Sequence, residues 1–193
     1  MLELGIMAED KSDIDTLVAL ARRITDADFQ VKSYAAKGCG KLKKQFARIA
    51  ESWMSVSTDY IVVCHDLDSC DANSLKRLKE ELEAKVRHMP KRQRDCLCIV
   101  IPIQEIEAWL LADVEPLKKR FRNIGISEAP SPEAIASPKE YIEKASRDSR
   151  ARPRYIHNIH NPELARELDI DKVHSKCPAF RPYHAFISRL PKE

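Results

Sequence analysis

The sequence predicts an α/β fold: a mostly parallel sheet of about four strands with helices on both faces, followed by a helical C-terminal extension. Two patterns indicate this class. Short apolar runs, such as YIVVC and CLCIVIPI, alternate with amphipathic stretches of helical spacing in the first part of the chain. Since parallel neighbours need a crossover connection, the alternating order of strands and helices favours a parallel sheet.

The first predicted helix, SDIDTLVALARRITDA, has Ile14, Leu17 and Val18 at helical spacing, and Ser12 or Asp13 is available as its cap. The predicted strands, in order, are LELGIMA, FQVKSYAA, YIVVC and CLCIVIPI. The other predicted helices of this part are LKKQFARIAESWMSV, SLKRLKEELEAKVRHM and EIEAWLLADVEPLKKRF.

The amino-acid composition of the chain changes after residue 122, where ISEAPSPEAIASP is rich in proline and serine. Ser137, Pro138 and Glu140 predict a capping box that opens a helix at SPKEYIEK. The stretches NPELARELDI and CPAFRPYHAFISRL indicate further short helices. We therefore expect an α/β core over residues 1–122 and a helical extension, residues 123–193, packed on the same domain.

Composition excludes several classes of protein. No apolar run approaches the roughly 20 residues needed to span a bilayer, and the start MLELGIMAED has no basic region followed by an apolar stretch. We therefore expect a cytoplasmic protein without a membrane partner. The six cysteines form no CxxC pair and are expected to be reduced. The net charge is only +3, but basic clusters such as KGCGKLKK and RDSRARPR could meet a polyanion.

Acidic side chains follow three of the four predicted strands. Asp66 and Asp68 end the third strand, and they share one side of an extended segment because strand side chains alternate. In parallel sheets the ligand site lies beyond the carboxyl ends of the strands. The full set of acids predicted at this edge is Glu9, Asp13, Asp66, Asp68, Glu105 and Glu107.

Clustered carboxylates repel one another, so their convergence on one edge favours a bound cation. Oxygen ligands suit Mg²⁺ or Mn²⁺, and Glu9, Asp66 and Asp68 are predicted to hold the first ion. Asp13 with Glu105 or Glu107 could help hold a second ion about 4 Å away. A structural interpretation stays open for each acid alone, since aspartates after strands commonly cap helices or form turns.

A strand ending in Glu9 and a later strand ending in the Asp66-x-Asp68 pair resemble the TOPRIM domain, a Rossmann-like α/β fold. The resemblance covers residues 2–112 and implies that Glu9 is a catalytic glutamate and that Asp66 and Asp68 bind metal. More specifically, IPIQEIEAWLLAD, SPKEYIEK and CPAFRPYHAFI resemble a small uncharacterised bacterial TOPRIM-like family, the domain of unknown function 4276.

The resemblance extends to OLD-type (overcoming-lysogenization-defect) nucleases, in which further acids complete a two-metal site. Asp13, Glu105 and Glu107 occupy comparable places, although this chain has Glu-x-Glu where those enzymes have Glu-x-Asp. Those enzymes also use a lysine near the site, for which Lys139 and Lys176 are the candidates.

The loop KGCGKLKK offers Lys37, Gly38, Gly40 and Lys41 as phosphate-binding residues, although a turn with a solvated lysine face is an equal alternative. It lacks the GxxxxGK[ST] spacing of a Walker A nucleotide site. Arg152, in the arginine-rich stretch, is a further candidate for phosphate contact. His65 is expected to face away from Asp66 and is interpreted as structural.

These observations predict a nuclease dependent on Mg²⁺ or Mn²⁺ that hydrolyses phosphodiester bonds of DNA or RNA. Since OLD-like nucleases often act beside an ATPase, the resemblance implies an effector of phage defence or a toxin-like system, partnered by an ABC-type ATPase encoded nearby. One alternative is a non-catalytic nucleic-acid-binding or regulatory subunit of an ATPase complex. Another is a phosphotransferase acting on free nucleotides.

Overall fold

The computed structural model describes residues 1–191 and contains a four-stranded parallel sheet with the strand order β2-β1-β3-β4. The α/β fold with a parallel sheet is therefore confirmed. The strands are β1 (Leu2–Ala8), β2 (Phe29–Ala35), β3 (Tyr60–Cys64) and β4 (Leu97–Val100).

Helices connect the strands and form the C-terminal part of the chain. Those of the first part are α1 (Lys11–Ile24), α2 (Cys39–Val56), α3 (Ala72–Val86), α4 (Lys91–Asp95), α5 (Glu107–Leu110) and α6 (Glu115–Arg120). Those of the second part are α7 (Pro138–Ala145), α8 (His157–Ala165), α9 (Ile170–Lys176) and α10 (Arg181–Ser188), with 3-10 helices at Pro132–Ala134 and Pro178–Phe180. The stretch predicted as one helix after β4 is divided into α5 and α6.

The sheet separates two apolar layers, because side chains alternate between its faces. Val62 and Cys64 of β3 join the layer formed with α1 and the C-terminal helices α8 and α10. Ile61 and Val63 join the layer beneath α2 and α3. Burial on both faces explains the continuous apolar run of this strand.

The C-terminal helices share their core with the first half of the chain. The layer on the α1 face contains Ile142 of α7, Leu164 of α8 and Tyr183 of α10, whose hydroxyl donates to the carbonyl oxygen of Leu17 at 2.6 Å. None of the described helices is long and apolar enough to cross a membrane.

The cap of α1 differs from the prediction. Asp10, rather than Ser12 or Asp13, is the N-cap, and its Oδ1 accepts from the Asp13 amide at 3.1 Å. An Asx cap requires an extended backbone one position before the first helical residue, which Asp10 provides with φ −133°. The Asp13 side chain is therefore released from capping and lies on the first turn of the helix.

The capping box predicted at α7 is wrong. Ser137 does occupy the N-cap position, but its φ of 47° is left-handed and its side chain makes no capping hydrogen bond. The Glu105 side chain, from the segment after β4, accepts from the Lys139 amide at 3.1 Å instead. A distant carboxylate thus satisfies an amide that the local sequence leaves free.

Candidate metal centre

The predicted acids lie at the carboxyl edge of the sheet, on both sides of the point where the strand order reverses. In the order β2-β1-β3-β4, the chain passes from β1 to β2 on one side and then from β2 to β3 on the other side of β1, so a crevice forms between the ends of β1 and β3. Glu9 follows β1 and Asp66 follows β3, so these two residues flank the crevice. Parallel sheets of this type bind their ligands at such a reversal.

Asp66 is the centre of the acidic cluster. Its Oδ1 is buried and has no hydrogen-bond partner within the described residues. Burial raises the pKa of the Asp66 carboxyl well above its ordinary value, and the nearby charges of Asp13 and Glu107 raise it further. A buried carboxylate without a donor lacks the groups that would stabilise its charge.

Asp13 and Glu107 complete the inner part of the cluster. Burial raises the pKa of Asp13 well above its ordinary value, with further contributions from the charges of Asp10 and Glu107. Glu107 is 4% exposed, and burial raises its pKa as well. The two residues are far apart in sequence, yet each raises the proton affinity of the Asp66 carboxyl between them.

Two buried side chains from the C-terminal part hold Glu107 in place. The Asn161 amide donates to Glu107 Oε1 at 3.0 Å, and the Tyr155 hydroxyl lies 3.4 Å from the same oxygen. The Tyr155 hydroxyl also donates to the side-chain oxygen of Asn161. This network holds the Glu107 carboxylate in position through uncharged partners, so no positive charge within the network pairs with it.

Glu9 approaches the cluster from the opposite face of the sheet, the face covered by α2. Its Oε1 is buried without a hydrogen-bond partner in the described part of the chain, and the nearby Cys39 amide at the start of α2 opposes the rise of its pKa. Burial raises the pKa of Glu9, whereas the neighbouring His65 opposes the shift. The Glu9 carboxylate therefore adjoins both the cluster and the KGCG loop.

His65 lies on the opposite face from Asp66, as the strand alternation predicts, but this is the face that Glu9 occupies. It is 6% exposed, and its Nδ1 lies 2.8 Å from the Asp66 carbonyl oxygen. Its Nε2 is buried and has no partner among residues 1–191. The alternation along the strand did not predict this position of His65 beside Glu9.

Asp68 and Glu105 lie at the margin of the cluster. Asp68 is exposed, and its charge contributes to the raised pKa values of Glu9 and Asp66. Glu105 is half-buried, and burial raises its pKa although the Lys139 amide donates to it. Glu105 therefore serves helix α7 as well as the acidic edge.

The backbone is strained at the same edge. Lys37 after β2, Asp68 after β3 and Gln104 after β4 have left-handed φ values of 59°, 53° and 64°. Hydrogen bonds between the loops of this edge hold two of these residues. The Lys37 amide donates to the Glu9 carbonyl at 2.8 Å, and the Asp68 amide donates to the Gln104 carbonyl at 3.2 Å. Strained residues are concentrated at functional sites, where surrounding contacts hold them.

Of the predicted phosphate-binding residues, those of the KGCG loop and Lys139 lie beside the acids. Lys37, Gly38, Gly40 and Lys41 are exposed next to Glu9, and Gly38, with φ 124°, begins helix α2. The charge of Lys139 opposes the raised pKa values of both Glu105 and Glu107. Lys139 is therefore the lysine that the fold places at the acids.

Lys176 and Arg152 have other contacts. Lys176 donates to the Ala112 carbonyl at 3.0 Å and pairs with Glu128. Arg152 pairs with Asp148, whose carboxylate also accepts from the Arg152 amide at 2.9 Å. Neither cation is among the main causes of the pKa shifts of the acidic cluster.

The acidic cluster has the oxygen donors that a hard divalent cation prefers, but its side chains are not arranged as a complete set of ligands. All the convergent acids offer oxygen, and two buried oxygens, Glu9 Oε1 and Asp66 Oδ1, have no partner in the described region. In residues 1–191, no group of three or more His, Cys, Asp or Glu side chains is arranged to hold a metal ion. Mg²⁺ commonly takes only one or two carboxylates, with water and substrate phosphate as its other ligands.

Sequence reasoning missed the residues that support the site from the second half of the chain. Asn161 and Tyr155 lie 54 and 48 positions from Glu107 and reach it through the packing of α8, and of the segment before it, near α5. The histidines are the conspicuous feature of the stretch YIHNIHN, and no local spacing points to its second asparagine.

Replacing Asn161 by Ala is expected to lower the free energy of unfolding by about 1–3 kcal/mol, because a buried acceptor loses its donor. Urea unfolding measures the change. Asn158→Ala is the matched control, since Asn158 lies on the exposed side of the same helix α8 and should alter stability by less than about 0.5 kcal/mol. Equal losses in the two variants would contradict the described network.

The strand order, the helices on both faces and the acids at the reversal point define a Rossmann-like α/β protein with an acidic crevice. The chain belongs to the DUF4276 family, because the model of this domain of unknown function matches residues 8–188. No curated protein and no solved structure matches the chain.

Proposed function

We propose that this protein is a nuclease dependent on Mg²⁺ or Mn²⁺ that hydrolyses phosphodiester bonds. One observation carries the proposal: Glu9 and Asp66 flank the crevice of the sheet, and each has a buried carboxylate oxygen without a hydrogen-bond partner in the described chain. Two such oxygens among mutually repelling acids are best satisfied by a cation.

One or two of Glu9, Asp66 and Asp68 would bind the first ion, with water and substrate phosphate as its other ligands, and Asp13 with Glu107 would serve a second. Glu105 is the weaker candidate of the Glu-x-Glu pair, because α7 already uses its carboxylate. When bound, divalent ions polarise a phosphoryl oxygen and activate water as a nucleophile.

Side chains of the protein would supply proton transfer, phosphate binding and the orientation of the metal ligands. A carboxyl with a raised pKa holds its proton closer to neutral pH than an ordinary one, which suits Glu9 to act as a general acid or base. Lys139, beside Glu105 and Glu107, is suited to bind a phosphate that approaches the acids. The Asn161 and Tyr155 network orients Glu107.

The resemblance to the TOPRIM domain and to OLD-type nucleases supports hydrolysis of DNA or RNA over other phosphoryl chemistry. The same resemblance extends the proposal to a cytoplasmic effector of phage defence that works with an ABC-type ATPase encoded nearby. Both extensions rest on analogy of fold and motif.

The test is incubation of the purified protein with plasmid, single-stranded DNA and tRNA, in Mg²⁺, in Mn²⁺ and in EDTA. We expect cleavage of at least one polymer in the presence of a divalent ion and none in EDTA. Salt-sensitive binding without cleavage in either ion would instead favour the non-catalytic binding subunit. Turnover of free nucleotides alone would favour the phosphotransferase.

A further inference from the structure

The solvent face of α2 carries a row of cations that the acidic crevice does not account for. Lys41, Lys44 and Arg48 follow one another at spacings of three and four residues, so they lie within about 60° of each other around the helix. Leu42, Phe46 and Ala50 occupy the opposite, buried side. Lys37, in the loop before the helix, extends the row. We call these four residues the α2 basic row.

All four cations are exposed, and none has an acidic partner within the described residues. Neighbouring cations behave differently: Lys43, on the side of α2 that faces α3, pairs with Glu81 at 2.5 Å. Like charges at helical spacing repel one another and destabilise a helix. The charge is of one sign from Lys37 to Arg48, and Glu51, the next acid on this side of α2, pairs with His88 instead of the row.

The basic row begins at the acidic crevice. The Lys37 amide donates to the Glu9 carbonyl at 2.8 Å, and the Cys39 amide lies close enough to the Glu9 carboxylate to oppose the rise of its pKa. Gly38 provides no side-chain cap, so the positive end of the 18-residue helix faces the same region. One surface thus runs from the acids, past an uncapped helix start, along the row of cations.

We infer that the α2 basic row binds the sugar-phosphate backbone of a polynucleotide and leads it to the acidic crevice. This inference rests on the proposed function and narrows it, because a free nucleotide would not extend along the helix. Lys41 and Arg48 lie about 10 Å apart along the helix axis. Successive phosphates of one strand of B-DNA rise by about 3.4 Å along the duplex axis, so the row spans about three such steps.

Two features favour a polynucleotide over an anionic membrane. The α2 basic row contains no exposed apolar anchor between its cations, and such anchors accompany basic residues in helices that bind membrane surfaces. The adjoining acids would repel a flat anionic surface. A single strand can instead contact the row and enter the crevice with its own divalent counterions.

The test compares the salt dependence of binding in two double variants that lose the same charge. Lys44→Gln/Arg48→Gln removes two cations of the row. Lys118→Gln/Lys119→Gln is the matched control, because these exposed lysines pair with Glu115 and Glu167 instead. Each double variant also carries Asp66→Asn, and binding of a fluorescent oligonucleotide is measured by anisotropy in EDTA, so cleavage does not interfere.

In the row variant, we expect the slope of log K against log salt to become shallower by about 1.4 for single strands or about 1.8 for duplex DNA. We expect the slope of the control to stay at the value of the Asp66→Asn parent. With the Asp66 side chain restored, the row variant should still hydrolyse bis(p-nitrophenyl) phosphate at the wild-type rate, because this small diester does not reach the row.

An unchanged slope in the row variant, or an equal change in the control, would overturn the inference. Loss of binding to phosphatidylserine vesicles with oligonucleotide binding intact would also overturn it and would assign the row to a membrane. The outcome is separable from that of the proposed function. A shallower slope without cleavage by the wild-type protein rejects the nuclease alone, whereas cleavage with an unchanged slope rejects the basic row alone.

Discussion

Replacing Asp66 by Asn is expected to lower the rate of metal-dependent cleavage by about 100-fold or more. The amide keeps the shape of the side chain but removes the charge at the centre of the acidic cluster, beside the unpartnered Oδ1. Electrostatic stabilisation by a bound ion contributes several kcal/mol to phosphoryl transfer. A loss of about 3 kcal/mol corresponds to about 100-fold in rate.

Asp71→Asn provides a matched control for this experiment. Asp71 is exposed and caps α3, accepting from the Ser74 amide at 2.7 Å, and Asn is as good a cap as Asp. We expect this variant to cleave within about twofold of the wild-type rate, the range of a surface change away from the site. Cleavage by Asp66→Asn at the same rate would show that the cluster is not the catalytic site.

Asp66→Asn is also expected to stabilise the metal-free protein, increasingly so as the pH rises. The folded-state pKa values of Asp66 and Asp13 are raised well above ordinary carboxyl values. Between the ordinary value, about 4, and these raised values, the folded state binds more protons than the unfolded state. The free energy of unfolding of the wild type therefore falls as the pH rises through this interval.

Removing one of the repelling charges lessens that fall. Urea unfolding of both proteins in EDTA at several pH values should give a difference that is small near pH 4 and grows towards pH 8. At pH 8 we expect the variant to be the more stable protein, because it lacks one of the mutually repelling charges. Acids with lowered pKa values, such as Asp71 beside the Ser74 hydroxyl, change their contribution only below the ordinary carboxyl range.

The comparison of two proteins at each pH cancels the titration of groups that they share, including His160 and His184. A difference that does not vary with pH, or a variant that is less stable throughout, would contradict the repulsion described for the cluster. Such destabilisation is common at functional sites, where residues are kept for chemistry rather than for stability.

The sheet could be predicted from the sequence because its signals are local. Five apolar residues in YIVVC can be buried on both faces only in an interior strand, and β3 is one. Glu9 directly follows β1 and Asp66 comes two residues after the end of β3, so the strand-end rule places them at one edge from their positions in the chain alone. Their convergence is a property of parallel topology rather than of any particular contact.

The details that the sequence could not supply depend on contacts between distant segments. Ser137 has the composition of a helix cap, but its left-handed backbone prevents capping and Glu105 takes its place. The choice between Lys139 and Lys176 required the position of α7, which brings Lys139 to the acids. Asn161 reaches Glu107 across 54 positions, and no periodicity encodes that distance.

The central claim is that the acidic crevice binds a divalent cation, and titration calorimetry of Mn²⁺ tests it most directly. The wild-type protein is expected to bind Mn²⁺, Asp71→Asn to bind it equally well, and Asp66→Asn to bind it at least about tenfold more weakly. Mn²⁺ binding that is the same in all three proteins, or absent from the wild type, would contradict the claim.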